Sequence, residues 1–271
     1  MSQETNDLTK KRIVYQVPAM ASVRIQRDVA YRTAEDDVQT LDIYLPPQAA
    51  PDARLPAVVF VSGYRDVGMQ KMLGCKLKEM ASYVSWAQLV AASGMVAVTY
   101  TNSDPAADVY AVLRYVQEHA ATLGIDESRL GVWACSGNVP NALSILLQDR
   151  INALRCAVLY YGLMLDLDST PHVADAAKMF GFVNPNAGKT VADLPPNLPL
   201  FVVRAGQDEM PHLNETIDLF LAHAVAANLP VNFLNHPAAP HFFDAIDDSE
   251  TTRTIIRQTL AFLRFHLGMA E

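Results

Sequence analysis

A serine in the frame Ala134-Cys135-Ser136-Gly137-Asn138 follows the apolar run Leu130-Gly131-Val132-Trp133 and precedes residues that can open a helix. A serine hydroxyl is a weak nucleophile in water. Placed on a sharp strand-to-helix turn, it stands clear of the sheet where a base can take its proton. Such a turn wants small residues two before and two after the serine, because strand and helix pass close together there. Ala134 meets the first requirement, and Asn138 stands where glycine is usual. An alternative frame puts Cys135 at the tip, with Gly137 at plus two. It also puts the Trp133 ring at minus two, where it would collide with the helix. Ser136 is therefore the candidate nucleophile, weighed against a buried strand that happens to end in a serine.

A nucleophilic serine needs a base, an acid to orient that base, and donors for the developing oxyanion. The sequence offers a carboxylate and then an imidazole downstream, each just after an apolar run. Phe201-Val202-Val203-Arg204-Ala205-Gly206-Gln207-Asp208 ends in a glycine turn carrying Asp208. Asn235-His236-Pro237-Ala238-Ala239-Pro240-His241 places His241 on a loop before the last helical stretch. Among seven histidines, His119, His223 and His266 fall in helical patterns. His172 and His212 are loop residues able to contact substrate, and His236 lies close to a strand. Loop position and chain order favour His241 over His236 as the base. Asp208 is preferred to Glu209, Asp166 and Asp168 because it leaves a buried strand through a glycine turn. The expected oxyanion donors are the backbone N–H of Gly137 and those of Gly63-Tyr64 after an earlier strand.

Stepwise hydrophobic patterning supplies the elements. Residues 23–32 and 38–45 alternate apolar and polar across Glu35-Asp36-Asp37, as in an antiparallel hairpin at a sheet edge. Short apolar runs at 56–61, 95–100, 130–135, 156–161, 199–204 and 231–235 then read as strands. Helical patterns fall between them, at 105–120, 138–148, 214–227 and 250–267. Asp104-Pro105 supplies an N-cap and a first-turn proline. This alternation implies a mostly parallel sheet with helices on both faces. In such a sheet the carboxyl ends of the strands share one edge, so the loops bearing Ser136, Asp208 and His241 can converge. Two long stretches break the rhythm: 64–83, with three methionines, and the proline-rich 165–198, which reads as a lid-like insertion. Residues 1–18 read as a loosely held arm ahead of a single domain over 19–271.

The chain has 271 residues, 51% of them hydrophobic, which is ample for one large core. A net charge of −8 without a basic cluster argues against nucleic acid and anionic membranes as partners. No apolar run reaches the length of a membrane span, and the polar N-terminus has no signal-peptide core. Three cysteines without a paired spacing fit reduced thiols in a cytoplasmic protein, and no His/Cys spacing points to a metal. A homodimer is the base-rate expectation.

With these residues in place, the chain resembles the α/β-hydrolase superfamily, and within it the dienelactone-hydrolase and carboxylesterase-like branch. The likeness runs from about Val23 onward. It is strongest over 104–138, with Gly124-Ile125-Asp126-Glu127-Ser128-Arg129-Leu130-Gly131-Val132-Trp133, over 204–208, and over Pro240-His241-Phe242-Phe243-Asp244. The resemblance implies an eight-stranded, mostly parallel sheet and a Ser136–His241–Asp208 triad. It implies an acyl-enzyme formed from a small ester substrate, with no cofactor. Three positions depart from the pattern. Asn138 and Ala134 replace elbow glycines, and Ser62 replaces the usual histidine of the oxyanion loop. Dienelactone hydrolases proper use cysteine as nucleophile.

Overall fold

The computed structural model describes residues 8–34, 37–148 and 154–269. Eight strands form one sheet in the order β1-β2-β4-β3-β5-β6-β7-β8. They are β1 (Arg24–Ala34), β2 (Asp37–Leu45), β3 (Leu55–Phe60), β4 (Val96–Tyr100), β5 (Ile125–Cys135), β6 (Leu154–Tyr160), β7 (Leu200–Ala205) and β8 (Val231–His236). β2 runs antiparallel to both β1 and β4, and every other pairing is parallel. The hairpin expected at the sheet edge is therefore present; its tip, Glu35-Asp36, lies outside the described residues.

The central strands show why the sequence reads as runs rather than alternation. Every residue of β4 is buried, as is nearly all of β3 and the second half of β5. Successive side chains of a strand point to opposite faces, so continuous burial means that both faces are covered. The cover is α1 (Asp66–Leu73), α2 (Ala81–Ala92), α3 (Pro105–Glu118), α4 (Ala120–Leu123), α5 (Val139–Leu147), α6 (His172–Phe180), α7 (Leu213–Ala226), α8 (Phe243–Ile246) and α9 (Glu250–His266). The Asp104 carboxylate caps α3 by accepting the Ala107 N–H at 3.4 Å, with Pro105 in the first turn.

Two stretches differ from their sequence reading. The arm is not loose where it is described. Ile13 is fully buried, its N–H donates to Ser85 Oγ at 3.0 Å, and the Val14 N–H donates to the Asp244 carbonyl at 2.8 Å. The short apolar stretch Ile13-Val14-Tyr15, set between a basic tract and Pro18, is too brief to show a period from which this docking could be read. Residues 64–83, where the pattern assigned no element, hold α1, a 3-10 turn at Leu77–Glu79 and the start of α2. Residues 165–198 carry α6 and a 3-10 turn at Val191–Asp193. This segment packs against the sheet's carboxyl edge: Val183 N–H donates to the Gly63 carbonyl at 2.8 Å, and Asn186 Nδ2 to the Pro140 carbonyl at 2.7 Å.

Candidate active site

β5 delivers Ser136 into a tight 3-10 turn, Ser136–Asn138, that runs directly into α5. Ser136 has φ +54°, a left-handed conformation that a side chain adopts only when its surroundings impose it. The imposing contact is the loop after β3. A Cβ on Gly63 would fall 2.5 Å from the Gly137 carbonyl oxygen and 2.9 Å from Asn138 Cα. The glycine missing at position 138 is thus matched by one on the facing loop. Gly137 is equally confined, because a Cβ there would strike the Tyr64 hydroxyl and come within 2.7 Å of the Phe182 ring. The Cys135 thiol is buried beside the Tyr83 hydroxyl at 3.5 Å, and burial pushes its pKa up to about 12. It stays protonated at neutral pH and is no rival to Ser136.

Asp208 and His241 meet. Asp208 sits on the turn after β7 with its side chain fully buried, and its Oδ2 lies 2.6 Å from His241 Nδ1. Its Oδ1 accepts the Met210 N–H at 3.0 Å. Because the ionised carboxylate can only accept, Nδ1 is the donor and Nε2 is left as the basic nitrogen. The His241 ring stands edge-on to Tyr161, with centroids 4.9 Å apart. The Tyr161 hydroxyl donates to Asp244 Oδ1 at 2.7 Å, and Trp86 Nε1 to Asp244 Oδ2 at 2.6 Å. Burial raises the Asp244 pKa, against these two donors. Asp244 lies three residues beyond His241, so this network anchors the loop that carries the imidazole.

Ser136 Oγ points to Met210 Sδ at 3.9 Å and makes no hydrogen bond to His241. The hydroxyl and the oriented imidazole therefore share a neighbourhood without touching. Met210 marks it: its sulfur faces the serine while its N–H holds the carboxylate. A turn about χ1, one of three staggered wells, redirects the hydroxyl, and catalytic hydrogen bonds commonly close only with substrate present.

The oxyanion donors need one correction. The Gly63 N–H is not free, because it donates to Asn138 Oδ1 at 2.7 Å. Asn138 Nδ2 in turn donates to the Tyr83 hydroxyl at 2.7 Å and to the Cys135 carbonyl at 3.0 Å. Asn138 is thus a clamp between the elbow and the loop after β3. Tyr64 forms an isolated antiparallel bridge with Phe182. Its bond runs between the flanking Val183 and Gly63, so the bridge does not use the Tyr64 N–H. Gly137 is the second residue of the 3-10 turn, where the first N–H groups have no partner within the helix.

The other candidates are occupied elsewhere. His236 is buried, with Nε2 at 2.9 Å from Asp247 and 3.3 Å from Ser249. Asp166 caps α6 by accepting the Val173 and Ala174 N–H groups at 2.6 and 3.1 Å. Asp168 contacts His223 at 3.1 Å, and Glu209 is exposed. Met210, Asn138, Tyr161 and Trp86 were missed as site residues. Only Asn138 carried a signal, as the residue out of place in the elbow.

No family model matches the chain, and no curated protein does. Solved structures do. Thermogutta terrifontis esterase 2 phosphoramylated by tabun superposes with a TM-score of 0.67 at 17% identity, over 94% of this chain and 98% of that one. The same esterase phosphorylated by paraoxon gives 0.64 at 18% identity, with the same coverage. With propionate bound it gives 0.66 at 19% identity, again with the same coverage.

The chain has the α/β-hydrolase fold. In the order β5-β6-β7-β8 these strands are parallel, so the loops after β5, β7 and β8, which carry Ser136, Asp208 and His241, all leave from the same carboxyl edge of the sheet.

Proposed function

We propose that the protein is a serine hydrolase that cleaves small carboxylic esters. Ser136 attacks the carbonyl, and His241 takes its proton through Nε2 and later returns it to the leaving alcohol. Asp208 holds the imidazole in the right tautomer and stabilises it when charged. The N–H groups of Gly137 and Tyr64 receive the oxyanion, with Asn138 and Gly63 fixing the distance between their two loops. Water activated by His241 then releases the acid. The observation that carries this reading is the pair of features converging on Met210: a serine forced to φ +54° and a buried carboxylate 2.6 Å from an imidazole.

Short acyl groups fit best. The Tyr64 and Phe182 rings, 5.8 Å apart, close over Gly137 and leave little room beside the elbow. The structural neighbour has been solved with propionate and with butyrate, two short acids. The carboxylesterase side of the resemblance is preferred to the dienelactone side because the Cys135 thiol is buried and protonated. Segment 165–198 acts as the lid. Free Cys75, Cys135 and Cys156 agree with a cytoplasmic location, and no helix of the described residues is long and apolar enough to cross a membrane. A homodimer stays a base-rate expectation.

A second reading, a binder that kept the fold and lost the chemistry, draws on the Ser136 hydroxyl facing Met210 and the Gly63 N–H bound to Asn138. A stopped-flow assay with p-nitrophenyl propionate separates the two. A burst of nitrophenol equal to the enzyme concentration, absent in Ser136→Ala, supports the hydrolase. No release above the buffer rate supports the binder.

A further inference from the structure

Among the described residues outside the site just described, one cluster gathers groups that bind transition metals. His172 opens α6, His212 is the N-cap of α7, and Glu215 lies in the first turn of α7. His212 Nδ1 is 2.7 Å from Glu215 Oε2, and His172 Nε2 is 3.6 Å from the same oxygen. One ligand atom from each residue lies within 4.8 Å of the others. The two imidazoles are stacked, 4.0 Å between centroids and 4° from parallel.

We propose that His172, His212 and Glu215 form a Zn²⁺ site that staples the 165–198 segment to α7. Three features carry it. The donor set is two imidazoles and a carboxylate, which suits zinc and its neighbours in the transition series and not magnesium or calcium. The spacing is right: ligands about 2.0–2.1 Å from a tetrahedral zinc are roughly 3.3 Å apart, and the two distances to Glu215 bracket that value. The donors are held in place rather than merely near one another. The Asp166 carboxylate fixes the first turn of α6 through the Val173 and Ala174 N–H groups. His212 keeps a left-handed φ of +59° that aims its ring at His172. No metal spacing is legible along the chain because the ligands come from two helices.

Coordination asks for one local change. A nitrogen lone pair lies in its ring plane, so parallel rings cannot share an ion until one turns about χ2, a soft torsion. Both imidazoles must be neutral to bind, so a proton on His212 Nδ1 moves to Nε2, or to solvent if the ring is charged, as zinc takes its place beside Glu215. The fourth position stays open to water.

The test is calorimetric titration of metal-stripped, tag-free, full-length protein with ZnCl₂, with Co²⁺ absorption as a second readout. The proposal expects one Zn²⁺ per chain and a visible tetrahedral Co²⁺ band. His172→Gln weakens binding at least about tenfold, and the His172→Gln/His212→Gln pair abolishes it. His241→Ala, which removes a half-buried imidazole beside Asp208 and outside this cluster, leaves binding intact. No zinc uptake by the wild type up to millimolar metal overturns the proposal. So does uptake unchanged in the double variant, or lost in His241→Ala. Circular dichroism confirms that each variant is folded before its titration is read.

Discussion

At the residue scale, the question is how much each group of the Asp208–His241 pair contributes. Asp208 fixes which imidazole nitrogen is basic, through a 2.6 Å bond from a fully buried side chain. Asp208→Asn keeps the shape and offers an amide in place of the acceptor, so the wrong tautomer is favoured. We expect kcat on p-nitrophenyl esters to fall by about 10⁴ with KM little changed. A loss under tenfold in steady-state kinetics would remove Asp208 from the orienting role. The candidates Ser136, Asp208 and His241 were legible from chain order and from their positions at strand ends, since type, order and a glycine turn are local properties. Met210 was not. A methionine announces no chemistry, and only the folded chain reveals that its sulfur meets Ser136 while its N–H holds Asp208.

At the scale of elements, the decisive join is between the elbow after β5 and the loop after β3. Asn138 makes three buried hydrogen bonds there: its Oδ1 accepts the Gly63 N–H across the join, while its Nδ2 donates to the Tyr83 hydroxyl on α2 and to the Cys135 carbonyl of its own elbow. Asn138→Ala strands the Gly63 N–H, at about 1–3 kcal/mol, and frees the loop that sets Tyr64. Denaturant unfolding should show that loss of stability, and kcat should fall more than KM rises. An unchanged midpoint would mean that water or a neighbour replaces the amide. The strands were readable because burial on both faces leaves unbroken apolar runs, and α3, α5, α7 and α9 because their apolar residues recur at helical spacing; α1, α2, α6 and α8 were not read. The joins were not, because they pair residues far apart in sequence. Trp86 and Asp244 are separated by 158 positions, and no periodicity connects them. Ile13 escaped for a related reason: one buried residue makes no pattern.

At the scale of the whole molecule, stability depends on a carboxylate that folding disfavours in its charged form. Asp66 is buried at the start of α1, just after the loop that follows β3. Its Oδ2 accepts the Asn102 N–H at 3.0 Å, while its Oδ1 accepts nothing from the described residues. Burial raises its pKa from the ordinary 3.8 to about 6. The native state therefore holds this proton more tightly than the unfolded chain. Its contribution is fully favourable below pH 3.8 and is lost as the pH rises through the window to about 6. At neutral pH the ionised group costs about 3 kcal/mol. Asp66→Asn keeps the acceptor and removes the charge, so it should raise Tm at neutral pH and give no gain near pH 4. Equal Tm shifts at both pH values in scanning calorimetry would contradict this.

The architecture is shared with an esterase at under a fifth sequence identity, so the activity rests on the site and not on the likeness. The most direct measurement is mass spectrometry of the protein after reaction with a fluorophosphonate ester, followed by peptide mapping. The account predicts one adduct per chain, on the peptide containing Ser136, and none in Ser136→Ala. An adduct on another residue, or an unmodified protein that still hydrolyses esters, would contradict it.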